Sequence, residues 1–155
     1  MDIECARLND LTGVRELNTL LKIQLKNPVK NMGVKDFYWN TDPYIRAAIT
    51  EKRCFIIKDG AITMAAMIME HRNPENQYPY QSLAVGTLSV HPEFRRNGLG
   101  IQLVSHAKAM ARKEKKRLYV ESFIEFRQLS FYKRLGFTGY PLRSSRVRFT
   151  HRGKA

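Results

Sequence analysis

A single domain that mixes helices and strands, α/β in composition and α+β in its order of elements, is the fold this 155-residue sequence predicts. Three features carry the expectation. An apolar run from Ser82 to Val90 leads through a polar turn, Arg95 to Gly100, directly into a helical pattern. Asp59-Gly60 separates two apolar runs, a hairpin signal. From residue 99 onward helical and strand patterns alternate at short intervals, over 99–115, 117–123 and 126–135. At 43% apolar residues the chain supports one core of ordinary size, and residues 1–155 are read as one domain.

Taken in chain order, Asp10 or Thr12 caps a first helix that runs through residue 26, with Val14, Leu17, Leu21 and Leu25 on one stripe and Pro28 beyond its end. Residues 35–52 form a second helical stretch, interrupted near Pro43. Strands Cys54 to Lys58 and Ala61 to Glu70 flank the turn at Asp59-Gly60. Residues 71–81, with Pro74, Tyr78, Pro79 and Tyr80, read as a polar loop before the strand Ser82 to Val90. Helix 99–115 follows, with Leu103, Val104, Ala107, Met110 and Ala111 at helical spacing, then strand Arg117 to Phe123. Helix 126–135 stops at Gly136, which supplies a left-handed C′ residue, so that Phe137 returns the chain to the sheet. A last stretch lies around Arg146 to Thr150. Phe131, Leu135 and Phe137 are expected in the core, whereas the hydroxyl of Tyr132 needs a polar partner wherever its ring is buried.

The formal charge of +13 is unevenly placed. Residues 1–90 hold 11 Lys/Arg against 10 Asp/Glu, and residues 91–155 hold 16 against 4, a net of +12. One cluster is Lys108, Arg112, Lys113, Lys115, Lys116 and Arg117; a second is Arg143, Arg146, Arg148, Arg152 and Lys154. Such a field attracts polyanions, a phosphorylated cofactor or nucleic acid, and a solvated basic face is the plainer alternative. Cys5 and Cys54 lie in no metal-ligand or redox spacing, which fits buried thiols in a reducing compartment, and no metal site is expected. No apolar run approaches the roughly 20 residues of a membrane helix, and no signal peptide is visible. A soluble cytoplasmic protein without membrane association is expected.

The segment Ser82 to Val104 has the parts of an anion cradle. A strand that stops before a loop of closely spaced N–H groups, followed at once by a helix, aims unpaired donors and the positive end of the helix dipole at one point. Gly98 and Gly100 lack a Cβ, so both are expected to allow positive φ and close approach of a phosphate. The dinucleotide fingerprint Gly-x-Gly-x-x-Gly is absent, since position 103 is Leu, and so is the Gly-Lys-Ser/Thr ending of a nucleotide P-loop.

Two segments give the chain a family likeness. Arg95-Arg96-Asn97-Gly98-Leu99-Gly100, preceded by Leu88-Ser89-Val90-His91-Pro92-Glu93-Phe94, resembles the Arg/Gln-x-x-Gly-x-Gly/Ala loop of the GNAT superfamily of acyl-CoA-dependent N-acetyltransferases. Phe131-Tyr132-Lys133-Arg134-Leu135-Gly136-Phe137 is similar to the second hallmark of that family, a tyrosine ahead of Gly-Phe. The resemblance implies a mixed, mostly antiparallel sheet of about six or seven strands flanked by about four helices, with splayed strands forming a coenzyme A cleft. It implies acetyl-CoA as cosubstrate, its pantetheine arm paired with backbone groups of Leu88, Ser89 and Val90 as an added strand. Amides of Arg95, Arg96, Asn97, Gly98, Leu99 and Gly100 would hold the pyrophosphate. Tyr132 would sit at the sulfur and protonate it as an amine attacks the thioester directly.

The chain also departs from the family pattern. Where many members carry Asn seven residues before the tyrosine, this chain has Glu125, at the place that meets the cofactor arm. Ala84 and Gly86 stand where some relatives place a base, which leaves Glu121 and Glu70, with His71 behind them, as candidates. By analogy residues 26–45 and 71–81 wall the acceptor pocket, with Phe37, Tyr38, Trp39, Tyr78 and Tyr80; Asp36, Asp42 and Glu75 are their few carboxylates, which weighs against a polycationic amine. The resemblance implies a primary amine as acceptor, on a small molecule, peptide or protein. A nucleic-acid-linked acceptor, or a nucleic-acid-binding role, is the alternative, and the chain is expected to be a monomer or homodimer.

Overall fold

The computed structural model describes residues 2–29, 40–76, 78, 81–123, 128–141 and 146–151. Among the described residues, seven strands and four helices follow one another as β1 (Glu4–Cys5), α1 (Leu11–Val29), α2 (Asp42–Thr50), β2 (Cys54–Asp59), β3 (Ile62–Arg72), β4 (Ser82–Val90), α3 (Leu99–Glu114), β5 (Arg117–Phe123), α4 (Gln128–Arg134), β6 (Thr138–Pro141) and β7 (Arg146–His151). Hydrogen-bonded neighbours in the sheet run β1-β2-β3-β4-β5-β7-β6. The chain divides into two compact units, Met1–Met69 with Thr87–Leu103, and Glu70–Gly86 with Val104–Ala155.

In the first unit the hairpin forms at the expected place with a corrected turn. Asp59 pairs with Ile62, so the two connecting residues are Gly60 and Ala61, not Asp59 and Gly60. Gly60 has φ +60°, the positive φ that a type II′ turn needs at its first central residue. Cys54 and Ile56 pair with Ile68 and Ala66, and this face forms one cluster with Val14 and Leu17 of α1 and Ile45 of α2. Phe55, Ile57, Ala65 and Met67 on the alternate face are buried as well, which is why both strands read as continuous apolar runs. Pro43 does not interrupt α2 but opens it: Thr41 is the N-cap, its Oγ1 accepting from Tyr44 N at 3.4 Å, and Pro43 lies in the first turn, where a missing N–H costs nothing. Residues 35–39 of that expected stretch lie outside the described residues. Helix α1 continues through Pro28 to Val29, beyond the expected stop at residue 26; the fixed φ of proline is itself helical. The expected pair of buried thiols holds for Cys54 alone, since Cys5, on the two-residue strand β1, is exposed. Burial, aided by Cys5 and Asp10 nearby, pushes the Cys54 thiol up to about 12, so it stays protonated and inert.

Gly13 marks how closely α1 approaches β3. A Cβ built there would lie 2.3 Å from Thr63 Oγ1 and 3.0 Å from Thr63 Cβ. Alanine gains up to about 1 kcal/mol of helix propensity over glycine, but the overlap pushes helix and strand apart at a cost of about 1–3 kcal/mol. Gly13→Ala is therefore expected to lower stability by about 1–2 kcal/mol, read as a fall in Tm; an unchanged or higher Tm would show that the contact gives way freely.

The second unit is built around β5. Ser82 to Val85 of β4 pair with Arg117 to Val120 in parallel, the connection that needs a crossover and receives α3. On its other side β5 pairs antiparallel with β7, from Leu118↔His151 to Phe123↔Arg146, and β7 pairs with β6. Tyr78 meets Tyr119 edge-on at 5.0 Å and both cluster with Ala84, so the one described aromatic of the loop 71–81 closes core. Strands β4 and β5 have the bounds expected from sequence.

Candidate functional site

Ladder geometry sets the first element of the site. The parallel register of β4 with β5 covers Ser82 to Val85 only, while β4 continues to Val90 and β5 to Phe123. Among the described residues, Leu88, Ser89 and Val90 thus have no ladder partner in β5. Their side chains alternate: Ser89 is buried and Leu88 and Val90 are half-buried, and Ser89 Oγ donates to Asn18 Oδ1 of α1 at 3.1 Å. Just past the strand, His91 donates its backbone N–H to Met64 O at 2.8 Å.

The turn that follows is stiff up to Phe94 and strained beyond it. Pro92 to Phe94 form one 3₁₀ turn capped by His91, whose Nδ1 accepts from Glu93 N at 3.1 Å and whose ring meets Phe94 at 5.5 Å. Asn97 Nδ2 donates back to Phe94 O at 3.2 Å, so its side chain ties the loop to itself and leaves its amide for other use. Arg96 and Gly98 have φ of +68° and +74° on either side of Asn97. Alternating φ of this kind gathers successive N–H groups on one side as a concavity for an anion. For Arg96 the left-handed conformation costs about 1 kcal/mol, a strain that no helix or strand requires.

Gly98 is also where α3 begins: its carbonyl accepts from Gln102 N at 2.9 Å. The N–H groups of Leu99, Gly100 and Ile101 then have no partner within the helix. Gly100 differs from expectation here, for it lies inside α3 and does not take positive φ; its second-residue place makes it a donor of the first turn, not a hinge. Arg95 and Arg96 are exposed. Leu88 to Val90 and Arg95 to Gly100 all fall in the first unit.

The second unit holds Tyr132. Helix α4 ends as expected at Gly136, with φ +91°. Phe137 N donates to Tyr132 O and Gly136 N to Lys133 O, both at 3.1 Å, the pair of bonds that defines a Schellman stop. The turn folds Phe137 back onto Tyr132, ring centroids 5.8 Å apart, and Phe131 meets the same tyrosine at 5.2 Å. Lys108 of α3 braces this stop from outside: its Nζ donates to Leu135 O and stands 5.5 Å from the Phe137 ring centroid. Burial, with Arg112 one turn away, lowers the Lys108 ammonium from its ordinary value. Tyr132 is 4% exposed, and burial pushes its phenol above the usual tyrosine range. It holds its proton at any physiological pH, the state a general acid requires.

Of the candidate bases, Glu70 is buried within β3, and its carboxylate lies 3.5 Å from Arg72 Nη1. His71, between them, is exposed. Glu121 stands in β5 opposite Arg148 of β7. Glu125 lies outside the described residues, as do Phe37, Tyr38, Trp39 and Tyr80. The sequence reading missed Asn18 and the bracing part of Lys108; a lone asparagine within an apolar helix stripe was the available signal for the first. No described helix is long and apolar enough to cross a membrane.

A family model described as the Acetyltransferase (GNAT) domain matches residues 50–139. No curated protein sequence matches the chain. Among solved structures, the PaiA N-acetyltransferase from Thermoplasma acidophilum, in complex with coenzyme A, superposes with a TM-score of 0.76 at 12% identity, covering 98% of each chain. A GNAT-family acetyltransferase from Streptococcus agalactiae gives 0.78 at 12% identity, covering 99% of this chain and 96% of that one. The ribosomal-protein-S18-alanine N-acetyltransferase from Escherichia coli gives 0.67 at 15% identity, with 97% and 92% covered. At these identities the structural likeness establishes the fold.

Proposed function

We propose that this chain, which belongs to the GNAT acetyltransferase family, transfers the acetyl group of acetyl-CoA to a primary amine. The observation that carries the reading is the loop at Arg95 to Gly100, where positive φ at Arg96 and Gly98 precedes the open N-terminus of α3. The loop fits the group it would hold. A Cβ at Gly98 would meet no atom within 4 Å, so the space over the glycine is clear, and the exposed Arg95 and Arg96 add positive charge. Amides of Arg95 to Gly100 would take the pyrophosphate, and backbone groups of Leu88, Ser89 and Val90 the pantetheine arm by strand addition; by the family resemblance of its sequence position, Glu125 would meet that arm.

Acetyl-CoA supplies the acetyl group already activated as a thioester. The chain's part is to orient, to polarise and to manage protons. Tyr132 Oη keeps its proton because burial disfavours the phenolate, and that proton neutralises the departing thiolate. The acceptor loses a proton to a base, for which Glu121 and Glu70 are the carboxylates available. Attack is direct, so no covalent intermediate forms on the chain. The test is transfer of labelled acetyl from acetyl-CoA to a panel of small amines, peptides with free N-termini and aminoacyl-tRNA. Acetylation of any class supports the reading, and transfer to none of them, with cofactor hydrolysis no faster than without protein, refutes it.

The net charge of +12 over residues 91–155 favours a second reading, in which the acceptor is linked to nucleic acid. Binding of that kind releases counterions and weakens steeply as salt rises. A flat salt dependence of acceptor affinity would remove it and leave the first reading in place.

A further inference from the structure

We propose that Asn18 is a positioning residue for the cofactor-binding edge of β4, an inference that rests on the assignment of Leu88, Ser89 and Val90 to the pantetheine arm. Past Val85 that strand has no ladder with β5 among the described residues, so on that side the ladder does not fix its height or its roll. On the other side β4 is hydrogen-bonded to β3, and just past the strand His91 N–H reaches Met64 O at 2.8 Å. A strand laddered on one side only has more freedom to roll than one held on both, and a contact from its face removes that freedom. In a strand the side chains leave perpendicular to the sheet while N–H and C=O lie in its plane. A side chain that is anchored therefore aims the backbone groups on either side of it.

Ser89 supplies that anchor. Its hydroxyl donates to Asn18 Oδ1 at 3.1 Å, across 71 residues of sequence, and the two residues are 3% and 0% exposed. Asn18 stands on α1 beside Val14 and Leu17, which are apolar and fully buried. A leucine there would serve packing better, because a buried amide is tolerated only when its hydrogen bonds are made. The pair thus selects one rotation of β4 over α1, the use for which buried polar residues are best attested. Thr87 provides the contrast. It lies two residues earlier on the same face and is 5% exposed, yet its hydroxyl has no hydrogen-bond partner. Burial on this face does not by itself bring a hydroxyl a partner; α1 holds the strand at Ser89, in the middle of the three residues assigned to the arm.

The test separates aiming of the strand from general support. Coenzyme A and 3′-phospho-ADP, which lacks the pantetheine arm, are titrated into wild type, Asn18→Leu and Ser89→Ala, each verified as folded by its melting transition. Both variants are expected to bind coenzyme A about tenfold more weakly and to bind 3′-phospho-ADP as wild type does. Ser89→Ala, the smaller change, decides the matter should Asn18→Leu not fold. Equal weakening of both ligands, or no weakening of either, overturns the proposal. If wild type itself binds coenzyme A no better than 3′-phospho-ADP, the assignment of β4 to the arm fails, and the proposal falls with it.

Discussion

Tyr132→Phe is expected to lower acetyl-transfer turnover by about a hundredfold or more, while the affinity for acetyl-CoA stays within about twofold of wild type. The ring is held on three sides by its own local structure: Phe131 at 5.2 Å, Phe137 at 5.8 Å and the Schellman stop at Gly136. Phenylalanine keeps the ring contacts and removes only the hydroxyl. A large loss of cofactor affinity instead would mean that the hydroxyl holds the site together and does not act on the departing sulfur. The pH profile gives a second reading of the same group. Burial raises the phenol above the tyrosine value of about 10, and an acid works only below its own pKa. Turnover should therefore not fall through loss of this proton up to pH of about 10.

Gly98→Ala is expected to act on stability and on binding together. At φ +74° a Cβ is held in the left-handed region, which costs an L-residue about 1–2 kcal/mol. No neighbour crowds the position, since nothing lies within 4 Å of an added Cβ, so the stability loss comes from the backbone alone. Coenzyme A affinity should fall by about tenfold, because the methyl group occupies the space that a phosphate would enter. Gly98→Asn separates the two effects. Asparagine tolerates the left-handed conformation, so its Tm should lie nearer to wild type than that of the alanine variant, while its coenzyme A affinity should be no better. Loss of affinity in Gly98→Ala but not in Gly98→Asn would place the whole effect in loop conformation.

The legibility of this fold in its sequence follows from which signals are local. Ser82 to Val90 is a mostly apolar run between polar turns, and Arg117 to Phe123 sets Leu118, Tyr119 and Val120 after a charged helix end; the bounds of both agree with the structure. The stop at Gly136 was legible for the same reason, since an αL cap is decided within six residues. Pro43 carried two local meanings, helix breaker and helix opener, and only the Thr41 hydroxyl two residues earlier distinguishes them. Gly98 and Gly100 were alike as sequence; the helix that begins between them makes one a hinge and the other an ordinary first-turn residue. Asn18 was not legible as a partner of Ser89, because nothing within 70 residues of either names the other. Lys108 read as one cation in a basic cluster, whereas its hydrogen bond to Leu135 O depends on how α3 meets the end of α4.

Calorimetric titration of the wild-type protein with acetyl-CoA tests the central claim most directly. Saturable one-to-one binding in the micromolar range, lost progressively from wild type to Gly98→Ala, is the predicted result. Absence of saturable heat at high micromolar acetyl-CoA, from protein shown to be folded, would contradict it, since the loop, the β4 edge and Tyr132 would then have no common ligand.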